Sequence, residues 1–303
     1  MTDIVAYFNG EWMPQADVRI RPFDRGFYVG DAVFDLTRTF DGRSFKMAEH
    51  VDRLYRSLKY ARIDAGLSQQ EMTDVSEEGI RRNEAARLDG VGDWHVWQAV
   101  TRGTGVFRGP ATLATVMVFY LPLGASTYAP YYKAGAHAVI TRTRSYSPEA
   151  LDPKIKHYSR MNFNIAEQEA FDVDPEGWPL LLDQHGNLSE GNGYNVFIVT
   201  GGVLKTPKDD SILQGVSRGA IYELAGRLGI PVSEEALQPY DLYTADEVFF
   251  TNTPSCMLPV TRVDRRQIGD GAPGPITQQL LATWSEWVGV DIVGQMEALN
   301  AGP

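Results

Sequence analysis

The stretch ALDPKIKHYSRMNFNIAEQEA, Ala150–Ala170, sets Lys154 and Lys156 one residue apart in a chain with only seven lysines among its 28 basic residues. From Met161 onward the stretch reads as a helix. A lysine just ahead of a helix is either a solvated surface charge or an amine kept for chemistry. Burial disfavours the ammonium form, and a neutral lysine amine attacks carbonyls. The stretch alone leaves both readings open for both lysines.

Around it the periodicity alternates between strand and helix. Upstream, AYFNGEWMP carries a hairpin turn at Asn9-Gly10, and AVFDLTRTFDGRSFKM carries another at Asp41-Gly42. Val51, Leu54, Tyr55 and Leu58 then repeat at helical spacing, and a second helix is expected over 69–88. HVWQAVTRG and ATLATVMVFYLP read as strands. Downstream come strand HAVITRT, the lysine segment and its helix. Strands over PLLLDQHGNLSEGNGYNVFIVTGGVLKTP follow. SRGAIYELAGRLGI is a helix closed by Gly229 and Pro231, and a last helix spans 276–288. Strand and helix blocks in both halves predict an α+β class. Pro, Gly and Ser crowd LPLGASTYAPYYKAG, which places a linker at 122–132 between domains 1–121 and 133–303.

Composition limits the function. Of the 303 residues 43% are hydrophobic, enough for two cores. A net charge of −11 argues against nucleic acid and anionic membrane as partners, while a small anion in a local basic pocket stays compatible. Cys256 is the only cysteine, so no intrachain disulfide forms, no metal site is read, and a reducing cytoplasm is expected. The beginning, MTDIVAYFNGEWM, shows no signal-peptide pattern, and the apolar run 116–123 is too short to span a bilayer.

Three places suit an anion. Val216 and Ser217 follow a glycine turn at a helix start, where N–H groups and the dipole favour phosphate, although an ordinary serine cap reads equally well. Thr251, Asn252, Thr253 and Ser255 crowd a strand end, as a cradle or a plain turn. Arg53, in EHVDRL, has the planar fork that suits phosphate, or is a solvated surface arginine. Glu190 sits in the glycine-rich turn of LSEGNGYNVF. A lysine, a phosphate cradle and a carboxylate able to face a pyridine nitrogen are the three things pyridoxal phosphate asks of a protein.

The ordered set RPFDRGFYVGDAVFD, EHVDRL, LDPKIKHYSR, LSEGNGYNVF, LQGVSR and DEVFFTNTPSCMLPV resembles the class IV, branched-chain-aminotransferase-like family of pyridoxal-phosphate enzymes. The resemblance implies fold type IV, with two α/β domains and the cofactor at their interface, and a homodimer. It implies that Lys156 is the Schiff-base lysine and Lys154 a variable position. Glu190 is implied as the pyridine-nitrogen carboxylate, and Arg53, Val216, Ser217 and Thr253 as phosphate binders. Leu213 would pack beside the ring, with Asn195 of the glutamate motif also on the cofactor. Met161 stands where several branched-chain relatives have a tyrosine touching the cofactor's phenolic oxygen. Arg160, one residue earlier, is similar to the corresponding residue of aminodeoxychorismate lyases and is implied as its replacement.

The resemblance implies transamination, with an amine or amino acid and a keto acid as substrates. His95, Val96 and Trp97 replace a Tyr-x-Arg often found in enzymes for L-amino acids, so that arginine is missing. TRGTGVFRG offers Arg108 at a spacing similar to (R)-amine transaminases, and Arg38 is a second carboxylate candidate or a cross-strand ion-pair partner. Phe34, Leu36 and Trp97 would line an apolar pocket. The expectation is a transaminase of D-amino acids or (R)-amines with apolar substituents. A branched-chain L-amino-acid aminotransferase is the alternative, and an aminodeoxychorismate lyase-like enzyme the second alternative.

Overall fold

Two tight turns shape the first sheet. Asn9 and Gly10 have φ of 50° and 98°, so β1 (Val5–Phe8) folds directly onto β2 (Glu11–Pro14). Asp41 and Gly42, at 49° and 72°, do the same for β3 (Ala32–Phe40) and β4 (Arg43–Ser44). Two-residue loops with both φ positive match the twist of antiparallel strands, and Asn-Gly and Asp-Gly tolerate that geometry best. The computed structural model describes residues 3–105 and 113–301. The chain forms two compact units. The first runs up to Leu123 and is joined by Ile155–Ser159, and the second consists of Gly124–Lys154 and the chain from Arg160.

The first unit adds β5 (Trp94–Thr101) and β6 (Thr115–Pro122), giving the strand order β2-β1-β6-β5-β3-β4 among the described residues. Its helices are α1 (Arg25–Val29), α2 (Met47–Ala61), α3 (Gln69–Arg82) and α4 (Glu84–Ala86). Helix α2 lies on β3, and α3 lies on β1, β5 and β6, so Val51, Leu54, Leu58, Met72 and Ile80 are buried against one sheet face. The helix expected over 69–88 is interrupted at Asn83, whose φ and ψ are −95° and 7°, and helical turns resume over Glu84–Ala86 and Arg87–Val91. The Asn83 amide donates to the carbonyls of Val5 and Gly79 and accepts from the Val5 N–H at 2.8 Å.

In the second unit the stretch read as a linker carries two one-turn helices, α5 (Ala125–Tyr128) and α6 (Tyr131–Ala134). Next come β7 (Ala136–Arg144), α7 (Met161–Phe171), β8 (Gly177–Leu182), β9 (Leu188–Gly191), β10 (Tyr194–Thr200) and β11 (Val203–Pro207). The chain ends with α8 (Val216–Leu228), β12 (Val232–Glu235), α9 (Pro239–Tyr243), β13 (Glu247–Asn252), β14 (Cys256–Val263), β15 (Arg266–Gln267), α10 (Pro275–Val288) and α11 (Ile292–Ala301). The strands run β12-β11-β10-β13-β14-β7-β8-β9, and β9 also pairs with β10. The path from β10 round to β9 therefore closes on itself, which leaves those strands no open edge. Leu180, Val196, Ile198, Phe250, Leu258 and Val260 belong to the core of this unit, while α7 packs on β7 and β8 and α8 on β13.

No helix among the described residues is long and apolar enough to cross a membrane, and no cluster of three metal-ligating side chains occurs among them.

Candidate active site

Residues 156–158 lie along β3 as an added strand. His157 pairs antiparallel with Val33, the Phe34 N–H donates to the Lys156 carbonyl at 2.9 Å, and the Tyr158 N–H donates to that of Ala32 at 3.0 Å. The Lys156 N–H donates to Ser57 Oγ of α2. Alternation then fixes side-chain direction, with Lys156 on the face of Phe34 and His157 on the other. Lys156 Nζ stands 4.5 Å from the centre of the Phe34 ring and the residue is only 9% exposed. Lys154 is in the second unit, partly exposed, and paired with Asp152 at 3.1 Å. The buried, backbone-anchored lysine is thus Lys156.

The same face of the sheet is mostly apolar. Phe34 stacks on Trp97 at 5.1 Å and touches Tyr158 at 4.8 Å. Burial pushes the Tyr158 phenol up to about 12, against the Trp97 indole, so it stays protonated. Leu36 is opposite Trp97 and Arg38 opposite His95 in the β3–β5 register. Arg38 is 1% exposed, with its guanidinium 4.0 Å over the Phe40 ring and Nε donating to the Thr39 carbonyl. His95 is buried beside it. Desolvation, then the Arg38 charge, drives its pKa down to about 3, and its Nε2 makes no hydrogen bond to the described residues. Arg108 lies outside the described residues.

The opposite face of β3 holds a charge network. Arg53 Nε and Nη2 donate to the two Asp35 oxygens, both at 2.8 Å, and Asp35 Oδ1 lies 2.6 Å from His50 Nδ1. Burial pushes the Asp35 carboxyl up, but Arg53 and His50 outweigh it and hold Asp35 far below the usual range. Burial is the largest influence on His50 and lowers it despite Asp35. Asp35 and His50 were not singled out from sequence. The available signal was a carboxylate inside an apolar strand, with His50 and Arg53 three apart on one helix face.

In the second unit Glu190 lies near the end of β9, 5% exposed, opposite Asn195 of β10. Its Oε2 accepts from Asn195 Nδ2 at 3.3 Å and from the Leu213 N–H at 3.0 Å, and Asn195 also donates to the Leu213 carbonyl. These three residues therefore form one hydrogen-bonded set.

Helix α8 begins at Val216, with Ser217 second and the side-chain-free Gly215 as N-cap, so the serine is not the cap. A Cβ at Gly215 would sit 2.2 Å from Asn195 Oδ1. The helix start thus lacks any side-chain cap over its first N–H groups, as an anion site requires. Thr253 follows β13 in a turn held by Asn252 Oδ1, which accepts from the N–H and hydroxyl of Ser255 at 2.7 Å. Arg160 sits at the start of α7 with its guanidinium 3.9 Å over Phe163, donating to Asn192 Oδ1 at 3.4 Å. The first unit thus offers an anchored buried lysine, and the second a buried carboxylate held by hydrogen-bond donors and an uncapped helix start, each of a kind that suits pyridoxal phosphate.

A family model for class IV amino-transferases matches residues 32–263. A Methanocaldococcus jannaschii protein is 36% identical over 283 residues, covering 90% of this chain and 93% of its own. The branched-chain-amino-acid aminotransferase of Escherichia coli K12 is 32% identical over 287 residues, covering 90% and 89%. Among solved structures, a T.th. branched-chain amino acid aminotransferase with pyridoxamine 5'-phosphate superimposes with a TM-score of 0.87 at 28% identity, covering 95% of each chain. The chain belongs to the class IV aminotransferases, and is a pyridoxal-phosphate-dependent enzyme of fold type IV.

Proposed function

We propose that the enzyme moves an amino group between an amino acid with an apolar side chain and a 2-keto acid, with branched-chain L-amino acids as donors. This revises the D-amino-acid or (R)-amine preference read from sequence. The observation that carries the reading is the Lys156 amine 4.5 Å from the Phe34 ring, on a sheet face where Phe34 stacks on Trp97 and Leu36 lies opposite Trp97. The relatives named for branched-chain amino acids support it.

Bound pyridoxal phosphate supplies the electron sink that acidifies the substrate Cα–H. Lys156 would hold the cofactor covalently and, once displaced by substrate, its amine would carry the proton away from Cα and deliver it again. The apolar surroundings keep water from that amine. Glu190, fixed by Asn195 and the Leu213 N–H, would keep a positive charge on the pyridine nitrogen. Val216, Ser217 and Thr253 would supply N–H and hydroxyl donors to the phosphate, with Leu213 against the ring. Arg53 would add its charge, oriented by Asp35. Arg38 is the candidate for a substrate carboxylate, with Arg108 as a further one.

The second reading, transfer from D-amino acids or (R)-amines, is favoured by Trp97, which puts an indole where an L-specific arginine was sought. Initial rates with L-leucine, L-valine, D-alanine and (R)-1-phenylethylamine, each with one keto acid, decide between them. Faster turnover of the L-branched donors is expected, and faster turnover of the D- or (R)-donors would reverse the assignment. Release of pyruvate from aminodeoxychorismate without an acceptor would instead support the lyase.

A homodimer is part of this reading. Phe23, Phe27, Tyr28 and Val29 are 41–75% exposed around α1, an apolar patch that a second copy would cover. Light scattering is expected to give twice the chain mass.

A further inference from the structure

Arg160 stands where elementary electrostatics disfavours it. It is the N-cap residue of α7, at the positive end of the helix dipole, and its side chain makes no capping hydrogen bond. Its guanidinium is packed on the Phe163 ring, which an apolar side chain would do at less cost in desolvation. Its hydrogen bond goes to Asn192, two residues beyond Glu190 in the turn from β9 to β10. Both elements belong to the second unit.

Resting on the reading of Glu190 as the pyridine-nitrogen partner, we propose that Arg160 is a positioning residue for the Glu190 carboxylate. The stack on Phe163 fixes the guanidinium. The bond to Asn192 ties down the turn, and the positive charge keeps Glu190 ionised. The charges acting on Arg160 agree: burial is the largest influence and lowers its pKa, while Glu190, then Tyr146, oppose it. Glu190 is the one carboxylate among them. Arg160 thereby compensates the cost of holding an ionised carboxylate buried, which neutral donors alone meet only in part.

The test uses the purified holoenzyme and the visible absorption of its bound cofactor, titrated with pH. Arg160→Gln removes the charge, Arg160→Lys keeps it without the planar stack, and each is made with Glu190 intact and as Glu190→Gln. The cofactor responds to the charge on Glu190, so its absorption reports that carboxyl, and loss of the Arg160 charge lets Glu190 keep its proton to higher pH. Arg160→Gln is expected to raise the midpoint by about one pH unit, a tenfold change in proton affinity, and Arg160→Lys by less than half of that. The Arg160→Gln shift should vanish in the Glu190→Gln background. An unshifted midpoint in Arg160→Gln, or a shift that persists unchanged without Glu190, would overturn the proposal. A Glu190→Gln enzyme with an unaltered titration would instead overturn the reading of Glu190 itself. Should Arg160→Gln fail to fold, Arg160→Met, which covers the Phe163 ring without a charge, decides: a midpoint raised by about one pH unit supports the proposal and an unshifted midpoint overturns it.

Discussion

Asp35 shows how one residue can fix two buried side chains, one of them the arginine proposed for the phosphate. Its carboxylate takes both the fork of Arg53 and the ring of His50 inside the first unit. Removing its charge takes that counter-ion from a buried guanidinium, so Asp35→Asn should cost about 3–5 kcal/mol of unfolding free energy, measured by urea denaturation of the apoenzyme. Mere loss of an ordinary hydrogen bond would cost about 1 kcal/mol. Sequence reasoning singled out Arg53 but missed Asp35, because an Asp within Val33–Leu36 reads equally as an exposed strand position. Lys156 was separable from Lys154 only through the ordered motifs. Its anchoring along β3, and Tyr158 beside it, are products of a pairing between distant segments that no local pattern encodes.

At the scale of elements, the start of α8 carries the clearest demand. The glycine before it leaves the first N–H groups of a 13-residue helix uncovered, and a methyl group there would meet Asn195 Oδ1 at 2.2 Å. Gly215→Ala should therefore disturb both the helix start and the Asn195–Glu190 pair, lowering pyridoxal-phosphate affinity by roughly tenfold or more, about 1.4 kcal/mol. Equilibrium dialysis of the apoprotein reads this, and unaltered affinity would contradict it. The helix itself, with Gly229 as its left-handed terminus, was legible from sequence, as were both β-hairpin turns. Where α3 ends was not. Helix α3 breaks at Asn83, whose side chain binds Val5, seventy-eight residues away, before helical turns resume.

For the molecule as a whole, acid sensitivity follows from two buried imidazoles. His95 falls from 6.5 to about 3, and His50 is also lowered. Between the ordinary and the lowered values the unfolded chain binds protons that the folded chain refuses. Stability therefore falls as pH drops below about 6.5. His95 alone accounts for about 4–5 kcal/mol across that range. His95→Gln should flatten the pH dependence of the thermal midpoint below pH 6, and an unchanged slope would contradict the buried neutral ring. Asp35 adds a loss only at still lower pH, because its carboxyl is held below the usual range. The α+β class was legible from alternating blocks. The closed strand path of the second unit was not, because β9 meets β10 through pairing rather than through any pattern in their residues.

The central claim is that one particular lysine holds the cofactor, and reducing that bond in place tests it most directly. The holoenzyme is treated with borohydride, digested, and the peptides that carry the reduced phosphopyridoxyl group are sequenced by mass spectrometry. The modification is predicted on Lys156 and not on Lys154. A modified Lys154, or a native, cofactor-loaded enzyme with no modified lysine, would contradict the account.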